Sequence, residues 1–483
     1  MQSPGSNQEY ASRFEAQAAS ILDADHFLAP EQPVFVVRSP GRLDVMGGNV
    51  DYTGGMVLQS LLREAVWVAS QARADETVRI FNPGVARFGW NTYFELDFAN
   101  LTDKSCLQKT CGDESTFWGR YVLGAVYFLQ SVLSDEHPHV DNCSRTGLDL
   151  FISSDLPPNK GVSSSAALTV ATLKAVATAW HIDLNGVALA TAAQWVENVV
   201  AGAACGIMDQ AAIVLGRKDY LLPLLCQPCI PSPLIRLPAG LRIWGIDSTM
   251  PRSTTGAPYE VARVAAFMGY RMICDRERLD ITKDPTSKIS RWTEARWHGY
   301  LSNVALSEFR ARYERWLPEI MSGNEYLTHY GEHIDPFTAI DPEANYPVRA
   351  AVRYAIEENL RVQMVRRLFD GAMRTNSDMR LLGELFRQSH HAYAECGLGS
   401  PACDNLVERA RDAGIPAAKM TGGGGGGVVA LLGYAEDHTK VRAIAEAYAA
   451  DCGKTPHVFE GSSDGVDAFG VCMLQPTRTW SLR

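Results

Sequence analysis

A glycine, a valine and three serines, Gly161-Val162-Ser163-Ser164-Ser165, stand between a β-type run, Leu148 to Ser153, and an Ala/Leu/Val stretch of helical character, Ala166 to Trp180. Backbone N–H groups and hydroxyls in such a turn converge on an anion beside the positive end of the helix dipole, which makes a seat for phosphate. The spelling is neither the P-loop nor the GxGxxG of dinucleotide folds, and taken alone the same turn also serves as a plain N-cap. Two carboxylates follow it. Glu197 sits among apolar neighbours in another predicted helix, Ala188 to Ala201, and Asp209 lies in Cys205-Gly206-Ile207-Met208-Asp209-Gln210. Brought close by the short glycine-containing link, they suit a metal and a hydroxyl proton respectively; the plainer reading gives each a structural partner.

Upstream, Arg42, Asp44, Asn49, Asp51 and Tyr52 fall within Arg38 to Gly55, read as a glycine-punctuated turn region after a short buried strand, Val34 to Val37. Backbone can approach a ligand closely there, and the polar groups can converge on a small hydroxylated molecule, where the alternative is a solvated surface loop. Downstream, Lys419-Met420-Thr421 leads into six successive glycines, Gly422 to Gly427, and directly into a predicted strand, Val428 to Leu432. A flexible linker would not be flanked so tightly by Met and a buried-strand pattern, so a close backbone approach is expected.

The elements that must position these groups read as follows. A helix is predicted up to about Ala29, a strand pair from Met56 to Asn82, and an amphipathic helix from Phe117 to Leu129. A first domain is expected over 1–230. A second, over 231–483, opens with the strand Leu241 to Ile246 and a helix from Tyr259, carries an insertion of helices and loops at about 275–346, and continues with helices at Asn359 to Phe369 and Met379 to Ala394.

Across 483 residues, 46% are hydrophobic and 21% charged, ordinary usage for a globular chain of more than one domain. The formal net charge of -10 argues against nucleic acid or an anionic membrane as partner. No apolar segment reaches spanning length and the N-terminus lacks a charged region followed by an apolar core, so a cytoplasmic protein, monomeric or weakly homo-oligomeric, is expected. The cysteines number 11, an odd count that suits reduced thiols. The close pair Cys226 and Cys229 has no second half at zinc spacing and reads as buried small hydrophobes.

Taken in this order, the motifs resemble the GHMP small-molecule kinase family. Ser39-Pro40-Gly41-Arg42 through Asp51-Tyr52-Thr53-Gly54-Gly55, Cys205 to Gln210, and Met420-Thr421-Gly422-Gly423-Gly424 resemble its galactokinase-like branch. The resemblance implies an α+β fold with a ribosomal S5-like N-terminal domain and a ferredoxin-like C-terminal domain around one cleft. It implies ATP and Mg2+, and a sugar as small-molecule substrate. By that resemblance Asp209 is the catalytic aspartate that takes or orients the proton of the anomeric hydroxyl, and Arg42 steadies charge beside it. Gly161, Val162, Ser163, Ser164 and Ser165 cradle phosphates, Ser165 and Glu197 hold Mg2+, and Trp118 lies on the adenine side. Asp51, Gly48, Asn49, Tyr259, Gly423 and Gly424 surround the sugar.

One departure bears on substrate. Galactokinase-like sequences carry Gly-Glu-His before the sugar-binding Asp, and the resemblance assigns that Glu and His to the 6-hydroxyl of galactose; this chain has Gly47-Gly48-Asn49. A site built to bond a hydroxyl rejects an analogue lacking it, and loss of those groups removes that penalty. L-Arabinopyranose is galactopyranose without the hydroxymethyl arm, and Asn159 to Ser165, Trp244 to Ser248 and Ala266 to Gly269 resemble the kinase portion of plant-type L-arabinokinases. The glycosyltransferase-like half of those proteins is not expected in a chain of this length. Phosphorylation of L-arabinose at the anomeric position is therefore the expectation, with galactose or another sugar as the alternative. A sugar and ATP sensor without turnover is disfavoured by the intact Ser165-Ala166, Asp209 and Arg42. Asn159, standing where the family has its first loop glycine, is expected to hold the turn because Asn tolerates left-handed geometry.

Overall fold

The structure is a computed structural model that describes residues 27–29, 32–101, 103–132, 146–250, 257–283, 292–371, 375–474 and 480–481. The helix expected before Ala29 lies outside the described residues. Strands β1 (Val34–Met46) and β2 (Met56–Ala72) form an antiparallel pair that is buried along almost its whole length. The turn region read from Arg38 onward is corrected here, because β1 runs on through Arg42 and Asp44 to Met46. Register shifts at Pro40/Arg42 and Asp44/Met46 explain it: bulges accommodate a proline inside a strand and re-aim the residues that follow. The true turn starts at Gly47 and Asn49, both at positive φ (98° and 59°).

Around this pair the first sheet takes in β3 (Thr77–Phe81), β4 (Tyr93–Asp97), β5 (Leu148–Ser154) and β6 (Tyr220–Leu225). β5 pairs with β2 and, in parallel, with β3, while β6 pairs with β2 beyond the bulges. Helices α1 (Gly119–Tyr127), α2 (Ser164–Ala179), α3 (Gly186–Trp195) and α4 (Met208–Leu215) accompany it, with α2 packed on β1 and β2. An Ala-rich sequence lets α2 bury most of its circumference, and small side chains allow that close approach to a sheet.

A second, antiparallel sheet is centred on β7 (Leu241–Asp247). Helices α5 (Ala257–Arg276), α6 (Val348–Asp370), α7 (Asn376–Glu395) and α8 (Pro401–Asp412) lead to its strands β8 (Ala417–Met420) and β9 (Val428–Tyr434). β9 pairs with both β8 and β7, and β10 (Val458–Glu460) pairs with the other edge of β7. The chain then returns to the first sheet, where β11 (Val471–Leu474) lies against β1 from Val34 to Val37. Between α5 and α6, short helices and two-residue strand pairs bring Trp297, Phe309, Tyr313, Tyr326 and Tyr346 together with Tyr270 of α5 in a separate core. Helices and loops are what the sequence leads one to expect of that segment. No helix among the described residues is long and apolar enough to cross a membrane.

Candidate active site

The bulge in β1 delivers Arg42 to the cleft with its side chain 2% exposed. Its Nε donates to Asp209 Oδ1 at 2.7 Å, its Nη1 donates to the carbonyl of Gly161 at 2.7 Å, and its own N–H donates to the carbonyl of Val162 at 3.2 Å. Asp209 belongs to the first turn of α4, where a carboxylate is favoured by the helix dipole. Its second oxygen accepts from Ser163 Oγ at 2.5 Å. The carboxylate is therefore fixed from two sides while remaining 25% exposed to the cavity.

Helix α2 starts at Ser164, and Ser163 occupies its N-cap in left-handed geometry (φ 63°) with no side-chain cap bond. The hydroxyl that would cap the helix is turned to Asp209 instead, so the first-turn N–H groups keep their affinity for an anion. Asn159 (φ 58°) and Gly161 (φ 74°) make the preceding turn, as the tolerance of Asn for this region leads one to expect. The glycine cluster closes over it: a Cβ at Gly427 would lie 2.6 Å from the carbonyl oxygen of Lys160. Lys160 Nζ reaches Asp247 of β7 at 2.9 Å, a further tie between loop and second sheet.

At Val196 the helix α3 gives way to π-helical turns, Val196–Ala201. Such a bulge rotates its residues relative to a regular helix and is frequent at functional sites. Glu197 sits there, 3% exposed, and accepts from Gln210 Nε2 at 2.6 Å. Burial pushes its carboxyl up to about 7, against a hydrogen bond from Gln210 and one from Ser165. Among the described residues it has no ion-pair partner, and with the Ser165 hydroxyl it offers hard oxygen donors beside the anion seat, which fits a small divalent cation such as Mg2+.

At the other end, Asp51 is 8% exposed. Its carboxyl is raised to about 6, chiefly by burial and next by the Asp209 charge, with Arg263 pulling it down. Gly206 makes room for it, since a Cβ there would overlap the carboxylate. Asn49 is 4% exposed, and its Nδ2 is a buried donor with no partner among the described residues.

Arg42, Asn49, Asp51, Trp118, Gly161, Ser163, Ser164, Ser165, Glu197, Asp209, Tyr259 and Gly423 all line one cavity of about 790 Å³. Three expected residues do not. Val162 is a core residue that contributes only its carbonyl. Gly424 (φ 86°) packs its backbone against Leu398. Gly48 faces away, into a space already filled: a Cβ there would overlap the hydroxyl of Tyr393, which donates to the carbonyl of Gly422 at 2.6 Å, while Tyr354 donates to the carbonyl of Gly48 at 2.6 Å. Sequence reasoning passed over Gln210, and also Phe88, Trp90 and Tyr121, which line the cavity near Trp118. Trp118 itself is held by its indole N–H on the carbonyl of Asn91 at 2.9 Å. Cys226 and Cys229 do not line this cavity.

A serine loop opening a helix, an arginine–aspartate centre and a glycine turn from a second sheet, all on one cleft, define a small-molecule kinase fold. Residues 120–217 match the GHMP kinases N terminal domain, residues 368–454 the GHMP kinases C terminal domain, and residues 24–72 the galactokinase galactose-binding signature. The chain belongs to the GHMP kinase family, on its galactokinase-like branch. An L-arabinokinase of Arabidopsis thaliana is 32% identical, over 92% of this chain and 47% of that protein. The chain thus spans about half the length of that relative. A galactokinase of Pasteurella multocida (strain Pm70) is 28% identical over 87% of this chain and 91% of its own. In fold, the chain is similar to Lactococcus lactis galactokinase complexed with galactose, with a TM-score of 0.69 at 21% identity, covering 89% of this chain and 94% of that one. A Methanococcus jannaschii mevalonate kinase gives 0.51 at 13% identity, covering 89% and 98%.

Proposed function

We propose that the protein is an ATP-dependent sugar 1-kinase that converts L-arabinose to β-L-arabinose 1-phosphate and ADP. The observation that carries this reading is the Arg42–Asp209–Ser163 cluster, which joins the anion loop to the pocket of Asp51 and Asn49 within one cavity. The anomeric hydroxyl loses its proton to Asp209 as its oxygen bonds to the γ-phosphorus, and the bond from that phosphorus to the β–γ bridging oxygen breaks to release ADP. Arg42 holds the Asp209 carboxylate in place and faces the developing charge, while the N–H groups opening α2 hold the phosphates in line. Ser165 and Glu197 would hold Mg2+, which when bound neutralises charge on the transferred phosphoryl group.

Arabinose is supported by the plugged space beside Gly48 and by the 32% identity to an L-arabinokinase. No side chain at position 48 reaches the cavity, so nothing there demands a hydroxymethyl group. A second reading, galactose, has its own support in the galactose-binding signature over residues 24–72. A coupled ADP-release assay with Mg-ATP across L-arabinose, D-galactose and D-galacturonic acid separates them. L-Arabinose is expected to give the highest kcat/KM; absence of sugar-dependent ADP release with every sugar would remove the kinase reading.

A further inference from the structure

Helix α5 carries Tyr259, Arg263 and Phe267 four residues apart, on one face. Tyr259 lines the cavity, whereas Arg263 lies behind it at 3% exposure. Its Nε and Nη2 donate to the two carboxylate oxygens of Asp335 at 2.7 and 2.8 Å, and its Nη1 donates to the carbonyl of Ala204 at 3.0 Å. The guanidinium also lies over the ring of Tyr52, 4.8 Å from its centroid. Asp335 comes from the segment between α5 and α6 and is itself held by Thr338 Oγ1 at 2.7 Å, which in turn meets His333 Nε2 at 3.1 Å. A buried ion pair is a poor way to add stability, since desolvation offsets most of its attraction. Its value lies in fixing geometry.

We infer that Arg263 is a positioning residue for the sugar end of the site, and that the segment between α5 and α6 acts on catalysis through the Arg263–Asp335 pair. The inference rests on the reading of Asp51 as a sugar ligand. On the cavity side Arg263 meets Tyr259 and, in addition, Tyr52 and Ala204, and these last two adjoin Asp51. Tyr52 is its chain neighbour. Ala204 precedes Cys205 and Gly206, which line the cavity, and Gly206 is the residue whose bare Cα admits the Asp51 carboxylate. Two residues further on, the N–H of Met208 donates to Asp51 Oδ2 at 3.4 Å. One rigid fork therefore sets both walls of the slot in which Asp51 sits. The charge counts too. Asp51 shares its surroundings with Asp209 and with the thiol of Cys205 and the phenols of Tyr52 and Tyr259, while Arg42 is taken up by Asp209. Arg263 is the cation that favours an ionised Asp51.

The test is the double variant Arg263→Met/Asp335→Leu, which replaces the pair by apolar groups and leaves no lone buried charge, with Asp335→Asn as a second variant should the double one fail to fold. KM is measured for L-arabinose, or D-galactose if that is the sugar turned over, and for ATP, as a function of pH, beside Asp51→Ala. The sugar KM is expected to rise about tenfold or more while the ATP KM stays within about twofold. In the double variant the acid limb of kcat/KM for sugar should also move to higher pH, because Asp51 loses its favouring cation; Asp335→Asn keeps that cation and is read by the sugar KM alone. A folded variant with unchanged sugar KM and an unmoved limb overturns the inference, as does an equal rise in both KM values. If Asp51→Ala itself leaves the sugar KM unchanged, the reading of Asp51 falls, independently of what Arg263 does.

Discussion

The two ends of the cleft are built on opposite plans. At the proposed phosphate end the cavity-facing residues come from one contiguous turn, Gly161 and Ser163 to Ser165, and from the helix it opens. At the proposed sugar end they come from Asn49 and Asp51, from Cys205 and Gly206, from Tyr259 and from Gly423. Behind them stand Tyr354 of α6, Tyr393 of α7, Arg263 of α5 and Asp335 from the segment between α5 and α6. An anion seat is local physics, because peptide dipoles point at the anion whatever the side chains are. A pocket that reads hydroxyls needs separately aimed polar groups, each desolvated and each supported from behind. The phosphate end should therefore tolerate side-chain loss, and the sugar end should not.

The largest effect belongs to Asp209, which serves both ends. Asp209→Asn keeps an acceptor for Arg42 and removes the base, so kcat should fall about 10³-fold or more while ATP affinity by calorimetry stays the same. A variant with wild-type turnover would remove the mechanism. Next comes Gly48→Glu. Its side chain must displace the Tyr393 hydroxyl and would enter a buried region beside Asp44. Overpacking and a buried like charge together should cost about 3 kcal/mol or more, read as a fall in Tm or loss of soluble protein. A Gly48→Glu protein of native Tm that had gained galactose turnover would show that the plug yields, and that the sugar end is as adaptable as the phosphate end.

This asymmetry also governs what could be read from sequence. The serine loop, its helix and the glycine cluster were legible because each is contiguous and its chemistry is backbone chemistry. The stretch from Arg38 to Met46 misleads because Pro40 and Gly41 punctuate it like a turn, whereas pairing with β2 carries the strand through by bulging. Glu197 was legible as an acid on a helix, but not the π turns that aim it. Gly48 reads as an emptied position, and only tertiary packing reveals that Tyr393, 345 positions downstream by residue number, fills it. Arg263 and Asp335 are 72 residues apart and carry no motif; Arg263's place one helical turn after Tyr259 was the one available signal.

Asp51→Asn sharpens the comparison by separating binding from stability. The sugar KM should rise about tenfold to a hundredfold, as when a charged hydrogen-bond partner is lost, with little change for ATP. Stability should move the other way. Asp51 titrates at about 6 in the folded protein against 3.8 in the reference state, so ionising it costs folding free energy. The cost is absent below the lower value, grows between the two and is complete above the higher. At neutral pH the Asn variant should gain on the order of 1–3 kcal/mol, and the gain should vanish as pH falls through that window. Unchanged Tm at neutral pH would show that the carboxylate is not strained by burial. In the wild type the sugar KM should climb as pH falls through about 6, since a protonated Asp51 loses acceptor strength.

The smallest effect tests the tolerance expected of the phosphate end. Lys160→Met removes the tie between the serine loop and β7, but Asp247 keeps its hydrogen bond from the Thr249 N–H at 2.8 Å, and Gly427 still packs on the Lys160 carbonyl. Loop and second sheet thus remain joined through backbone. The bridge is only partly exposed, 21% at the lysine and 8% at the aspartate, so its loss should cost about 1 kcal/mol, a rise of roughly fivefold in the ATP KM with the sugar KM unchanged. A hundredfold loss would mean that the phosphate end depends on an individually supported side chain after all, and the contrast between the two ends would collapse. A loss confined to a few fold would leave backbone geometry as the sufficient cause of phosphate binding and side-chain placement as the cause of sugar choice.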